Sequence, residues 1–352
     1  MPIPVLKLPF LIQERICKEM NFSLLTALSL CSLRTQRLIQ FLNLTIPRLR
    51  YYIREPSLHC FYRNGSETKI VLVLEQNPSL HITETQEINL GGVKIKGKVS
   101  YEPDDQEDKF YIIDVPKIDE TIQRATQRHV DSLFNHSGSN ILTIYMDRYS
   151  YRLPSIHNVT DSCIRGKRIG VDVLEDYFTQ YPNHHSANIG ALINGVISED
   201  SKIWHIERLS IKYQPAGMFL RRFTGQHLYL KNTQLDNSDV IYLLEEWVSN
   251  RAFQNLKTLY LRWEYPPHLR RRRIMGLIFR EIIAPFEQRF VPRNLLKRPS
   301  RIHYKPEIIN TSSSHIDVRN DAYYEMRRSD GKRAFLGSGH LFIRFLVYDD
   351  PE

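Results

Sequence analysis

The spacing of apolar residues changes near residue 50, and neither an all-helical nor an all-β fold accommodates both parts of the chain. Before that point apolar residues recur every three or four positions. After it they recur every two, between glycine-bearing turn signals. Leu11, Ile12, Ile16 and Met20 trace one helical face behind Pro9, whose fixed φ suits the first helical position. Asn21-Phe22-Ser23 breaks this helix, and Ser23 is placed to cap a second one over 24–32. A third is expected from Arg34 to about Asn43, with Leu38, Ile39 and Leu42 inward and Pro47 as the stop. Three short helices bury little by themselves, so this unit must lean on a partner or on the rest of the chain.

From Tyr51 onward the pattern predicts strands. Leu58–Arg63 and Thr68–Glu75 flank Asn64-Gly65, and Glu87–Leu90 and Val93–Tyr101 flank Gly91-Gly92, two hairpin signatures. A strand over Phe110–Val115 follows. Ile118, Ile122, Ala125, His129 and Leu133 then mark a helix, and Ile141–Met146 a further strand. Between Lys202 and Trp263 a rhythm recurs, at Ile206-x-x-Leu209-x-Ile211, Leu228-x-Leu230 and Leu256-x-x-Leu259-x-Leu261. A helix over 236–249 separates the last two, with Val240, Leu243, Leu244 and Trp247 inward. These short strand–helix units are weakly like leucine-rich repeats, without their asparagine signature. A helix is expected over 270–283, with Ile274, Leu277 and Ile278 inward. A C-terminal hairpin is expected from Tyr323–Arg328 and Leu341–Tyr348, with turns at Asp330-Gly331 and Gly337-Ser338-Gly339. The expected fold class is α+β: a three-helix domain over 1–50, then a larger mixed α/β domain over 51–352.

Composition narrows the function. No apolar run reaches the roughly 18 residues of a membrane helix, and the first residues lack a signal-peptide pattern, with Pro9, Glu14, Arg15, Lys18 and Glu19 interrupting them. The expectation is a soluble, intracellular protein of the cytoplasm or nucleus, with no membrane partner. Cys17, Cys31, Cys60 and Cys163 are scattered, and Cys17 and Cys31 lie among apolar residues, as free thiols do. The net charge of +9 is local: residues 262–305 hold 12 basic and 3 acidic side chains, a surplus equal to that of the whole chain. Arg270, Arg271, Arg272 and Arg273 form its basic patch.

Catalytic signatures are missing. There is no G-x-S-x-G elbow, phosphate loop, H-E-x-x-H or dinucleotide fingerprint, so no catalytic residue, cofactor or metal is assigned. His184-His185 reads as part of a solvated polar loop. The arginine run suits phosphate binding, yet no zinc finger or RNA-stacking module accompanies it. A nucleic-acid-associated or scaffold protein using the 262–305 segment is the competing reading.

The N-terminal residues carry a resemblance. Leu6-x-Leu8-Pro9-Phe10-Leu11, Ile16, Met20, Leu24-Leu25, Leu28-Ser29-Leu30-Cys31-Ser32 and Arg34-Thr35-x-Arg37-Leu38-Ile39 resemble an F-box. The remainder is similar to the type 2 F-box-associated domain of a nematode-expanded family. The matching pieces are His129-Val130-x-x-Leu133-Phe134, the Asp236–Trp247 helix with Trp247-Val248, the Leu256–Leu261 strand, Arg327-Arg328-x-Asp330-Gly331 and Leu341–Tyr348. The resemblance implies a non-enzymatic substrate receptor of an SCF-type ubiquitin ligase. Its F-box would bind a Skp-type adaptor, and through it a cullin–RING ligase, while the second domain recruits a protein substrate. It assigns Leu8, Pro9 and Phe10 to the adaptor contact, with Leu24, Leu25, Leu28 and Leu30 divided between that contact and the helical core. By analogy with repeat proteins, the strand faces carrying Tyr213, Tyr229, Tyr260 and Arg262 are the candidate substrate-facing surface.

Overall fold

A computed structural model describes residues 5–65, 67–78, 85–102, 110–146, 153–212, 214–232, 236–262, 279–290, 302–303, 315–316, 323–339 and 342–348. The architecture is mixed α/β, and the chain forms two compact units. The first comprises Met1–Tyr145 with Ser150–Ser162, and the second Met146–Tyr149 with Cys163–Glu352. Compactness thus divides the chain well beyond residue 50, because the N-terminal helices pack into the same unit as the strands that follow them.

In the first unit a short 3-10 turn (Val5–Lys7) precedes α1 (Phe10–Lys18), α2 (Phe22–Cys31) and α3 (Leu33–Phe41). Asn21, not Ser23, caps α2: its extended backbone lets Oδ1 accept the Leu24 N–H at 2.8 Å, while Ser23 is buried in the first turn. Ser32 caps α3, accepting from the Thr35 N–H at 3.1 Å. That helix stops before Pro47, because Asn43 adopts the left-handed conformation (φ 46°) that ends helices. The strands are β1 (Leu49–Arg54), β2 (Ser57–Asn64), β3 (Glu67–Gln76), β4 (Gln86–Leu90), β5 (Val93–Glu102) and β6 (Phe110–Val115). After them come α4 (Glu120–Leu133) and β7 (Asn140–Met146); β8 (Val159–Gly166) carries the chain into the second unit. The sheet order is β7-β1-β2-β3-β6-β5-β4, with β1–β7 and β3–β6 parallel and the other pairs antiparallel. Both expected hairpins form, with Gly65, Gly91 and Gly92 at positive φ.

A buried chain of hydrogen bonds ties α2, α4 and the β4–β5 turn. The Gly91 N–H donates to His129 Nδ1 at 3.4 Å, so Nε2 carries the proton and donates to Ser29 Oγ at 2.8 Å. Ser29 in turn donates to the Thr26 carbonyl at 2.6 Å. Burial holds His129 neutral, its pKa lowered to about 4. Gly91 is required by close approach: a Cβ there would lie 2.2 Å from the Ala125 carbonyl oxygen of α4. Phe22 packs edge-on against Tyr62 and Phe134, fastening α2 to β2 and to the end of α4. Arg48 bonds Asp161 and Thr160 at the start of β8.

The second unit contains β9 (Arg168–Gly170), α5 (Val171–Gln180), β10 (Ser186–Ile189), β11 (Leu192–Asn194), β12 (Arg208–Lys212), α6 (Ala216–Arg222), β13 (His227–Lys231), α7 (Asn237–Val248) and β14 (Thr258–Arg262). It closes with β15 (Ile302–His303), β16 (His315–Ile316), β17 (Tyr323–Arg327), β18 (Arg333–Gly339) and β19 (Phe342–Tyr348). Strands β10, β12, β13 and β14 are mutually parallel, and β19, β18 and β17 continue antiparallel beside β14. The strand–helix rhythm of the sequence is therefore a β12-α6-β13-α7-β14 layer. Leu209, Ile211, Leu228, Leu230, Leu259 and Leu261 all face one side and are buried. Trp247 of α7 meets Phe345 on that side, with ring centroids 5.0 Å apart.

Two expectations are corrected here. The C-terminal segment is a three-stranded meander rather than one hairpin. Asp330-Gly331 makes its turn (Gly331 φ 94°), but Gly337-Ser338-Gly339 lies within β18. Gly337 sits beneath the Tyr323 ring, where a Cβ would lie 2.3 Å from a ring carbon. His184 is buried instead of solvated: Nδ1 pairs with the Tyr181 carbonyl at 2.7 Å, and the rings of Tyr177, Phe178 and Tyr181 surround it.

Candidate interaction sites

Among the described residues, most of the exposed large hydrophobics lie on the N-terminal helices. Among the described residues the exposed large hydrophobics are Phe10, Leu11, Ile12, Leu33, Phe41 and Val196, five of them within α1 and α3. Leu11 is 75% exposed and Phe41 72%. Contiguous apolar exposure of this kind marks interaction sites on soluble proteins. Phe10 opens α1 and Phe41 closes α3, and their rings meet edge to face with centroids 5.1 Å apart. The segment leading to Phe10 is held in place by two side chains. Gln13 donates to the Leu8 carbonyl at 2.6 Å, and Arg34 reaches the Leu6 carbonyl at 3.0 Å.

Of the residues assigned to the adaptor contact, Pro9 and Phe10 are exposed and Leu8, Leu24 and Leu28 are half-buried, as is Leu30. Leu25 is the exception. It is 1% exposed, on a helix packed against α3 and β3, so it belongs to the core. Leu11 and Ile12 correct the helical face expected of α1, which turns them outward and buries Cys17. Of the two cysteines expected among apolar residues, Cys31 is exposed. Sequence reasoning did not single out Leu33 or Phe41. Their signal was an apolar residue at each end of a short helix whose inward positions were already filled by Leu38, Ile39 and Leu42.

The second candidate surface is the sheet face opposite the buried leucines. Strand register aligns Ser210, Tyr229, Tyr260, Arg344, Gly337 and Tyr323 in one row across β12, β13, β14, β19, β18 and β17. Tyr229 is not available to a ligand. It is buried with Tyr323, Phe335 and Leu346, which correct the substrate-facing role expected of it. Tyr260 is half-buried, stacked on Phe342 at 5.7 Å, and Arg344 lies over both rings. Arg262 is exposed at the end of β14. Arg333 forms a double hydrogen bond with buried Glu325, at 2.8 and 3.3 Å.

On the leucine side of the sheet, two sequence pieces 81 residues apart meet. Arg328 grips Asp330 through two bonds, at 2.9 and 2.6 Å, and lies over the Trp247 ring. The Ser329 N–H donates to the Val248 carbonyl at 2.9 Å. The Arg328 guanidinium holds the Asp330 carboxyl at a pKa of about 2.

Tyr213 and the Arg270–Arg273 patch lie outside the described residues, as do Ile274, Leu277 and Ile278. Among the described residues no group of three or more His, Cys, Asp or Glu could hold a metal ion. No described helix is long and apolar enough to cross a membrane. No family model, curated protein or solved structure matches the chain.

Proposed function

We propose that the chain is the substrate-recognition subunit of an SCF-type ubiquitin ligase. Its N-terminal helices dock on a Skp-type adaptor, and its second unit recruits a protein substrate. The chemistry of ubiquitin transfer then belongs to other subunits, and this chain contributes positioning alone. The observation that carries the reading is the exposed apolar set on α1 and α3, above all the Phe10–Phe41 pair. A soluble chain keeps such surface when a partner covers it. The F-box resemblance of the same residues supplies the identity of that partner.

Within this reading Pro9 and Phe10 are docking residues, joined by Leu11, Ile12, Leu33 and Phe41, while Leu25 holds the helices to the sheet. The test is co-purification of the full chain with a Skp-type adaptor. Phe10→Ala combined with Phe41→Ala should abolish recovery while leaving the thermal midpoint within a few degrees, because both side chains are already exposed in the free chain. Undiminished recovery would end the F-box reading.

A further inference from the structure

One face of the first-unit sheet sets aromatic rings and arginines side by side. A strand points alternate side chains to opposite faces, and burial alternates accordingly along β1 and β2. Leu49, Tyr51, Leu58, Cys60 and Tyr62 are buried on the side of α2, where the Phe22 ring meets Tyr62. Arg50, Tyr52, Arg54, His59, Phe61 and Arg63 point the other way and are half-buried or exposed. Register places Tyr52 beside His59 and Arg50 beside Phe61. On the parallel neighbour β7 it places Tyr52 beside Thr143, so Tyr145 lies on the same face. The rings of Tyr145, Tyr52 and His59 form a row across three strands, with successive centroids 5.3 and 5.6 Å apart. Arg54 lies 5.2 Å from the centre of the Tyr145 ring. Phe61 stands two residues along β2 from His59 and two from Arg63.

The positive charge on this face is largely unanswered. Arg48 is paired with Asp161. Among the described residues, no carboxylate lies within ion-pair distance of Arg50, Arg54 or Arg63. Glu75 shares the face, but it stands opposite Ser57 on β3, two strands from Arg54. Burial first, then the charges of Arg63 and Arg48, push the Arg50 guanidinium below its usual pKa, so these cations stand close enough to repel one another. Burial also lowers the pKa of His59 from the usual 6.5, which leaves its imidazole neutral at pH 7 and makes it a flat ring, not a charge. The complement of such a face is a ligand that brings flat rings and negative charge together.

We propose that this face binds single-stranded nucleic acid, with bases stacked on Tyr52, His59, Phe61 and Tyr145 and phosphates met by Arg50, Arg54 and Arg63. Every base has a flat face and every linkage a negative charge, so a single strand satisfies the rings and the cations at once. A duplex keeps its base faces within its own stack and would leave the rings unused. An acidic peptide would answer the arginines alone. Arg50 and Arg54 lie four residues apart on one strand, about 13 Å at 3.3 Å per residue, and Arg63 widens the basic track on β2. That length suits a run of about four nucleotides. The site belongs wholly to the first unit, on strands and not on α1 or α3, and it stands whether or not the receptor reading does.

The test is fluorescence anisotropy of labelled probes titrated with the full chain: a uridine decamer, a thymidine decamer, an RNA duplex of the same length and a glutamate decapeptide. A single strand should bind, and the tighter of the two decamers names the natural ligand as RNA or DNA. Raising NaCl from 50 to 200 mM should weaken that binding about 20-fold, the dependence expected of three phosphate contacts on a single strand. The variant Arg50→Ser, Arg54→Ser, Arg63→Ser should lose most of the affinity and most of the salt dependence. Phe61→Leu keeps every charge. It should weaken binding at least about fivefold, the value of one base stack, at an unchanged salt slope. Arg251→Ser, which breaks an ion pair with Glu246 elsewhere, should bind like the parent. If the triple variant melts early, Arg63→Ser alone, at an exposed position, should still lower the salt slope by about 0.7. No binding of either decamer at 50 mM NaCl would overturn the proposal, as would duplex or glutamate peptide bound as tightly as the single strands. Undiminished binding by the arginine and Phe61 variants would overturn it too, since the strand would then be held elsewhere, as by the basic segment over 262–305.

Discussion

Acidification should loosen the first unit through one buried imidazole. His129 is fully buried, its Nδ1 accepts from Gly91 and its Nε2 donates to Ser29, so protonation would place a charge in the core and turn an acceptor into a donor. Its pKa is about 4 in the folded protein against the usual 6.5. Between those values the unfolded chain binds more protons than the folded one, and stability must fall as pH falls. The contribution is nearly complete at pH 7, declines by about 2 kcal/mol at pH 5, and levels off below pH 4. His227, in the second unit, has a similarly lowered pKa of about 4, so a global melt would mix the two. Amide exchange read peptide by peptide, and corrected for the intrinsic pH dependence of exchange, separates them. Protection across α2 and α4 should fall about 30-fold between pH 7 and pH 5, the equivalent of 2 kcal/mol. His129→Gln keeps a donor and an acceptor but cannot titrate. It should start from lower protection and lose little more over the same range, while carboxylate effects remain common to both proteins. Equal losses in the parent and the variant, or an NMR titration of His129 above pH 6, would refute the reasoning.

Other consequences are simpler to measure. Leu25→Ala should destabilise the protein by about 2–5 kcal/mol in urea unfolding, the range for large-to-small changes at fully buried sites. A loss under 0.5 kcal/mol would mean that α2 is not anchored through this residue. Gly337→Ala should cost about 1–3 kcal/mol by overpacking against the Tyr323 ring, and a second change of Tyr323 to a smaller residue should recover part of it. Glu325→Leu leaves Arg333 without its double hydrogen bond and should cost about 3 kcal/mol or more. Calorimetry would show the loss, and an unchanged melt would mean that the pair is solvated.

Local physics made part of this fold readable. Asn64-Gly65 and Gly91-Gly92 announced hairpins because few residue pairs accept positive φ in succession, and α4 and α7 announced themselves by apolar spacing alone. Pairing between distant strands left no comparable mark. Nothing near Tyr229 in the sequence shows that Tyr323, Phe335 and Leu346 will bury it, since those neighbours arrive about a hundred positions later. Gly337 looked like turn chemistry for the same reason, because the aromatic ring that demands a missing Cβ belongs to another strand. For the N-terminal site, Pro9 and Phe10 were legible as motif residues. The outward turn of Leu11 and Ile12 was not, because a helix with apolar residues on adjacent positions can bury either side.

The pairing of β14 with β19 also bears on how this chain can vary. The chain leaves β14 after Arg262 and enters β17 at Tyr323; between them Ile282 and Phe286 are buried and Phe290 bridges Met326 of β17. Because β17 and β19 both run antiparallel to β14, that departure and return occur at the same end of the sheet, three strand spacings or about 14 Å apart. The entropy of closing such an excursion rises only with the logarithm of its length, about 0.6 kcal/mol for each doubling. Changes of length that spare Ile282, Phe286 and Phe290 would therefore cost the sheet little. A lineage could thus vary the length of this connection while leaving the strand pairing untouched.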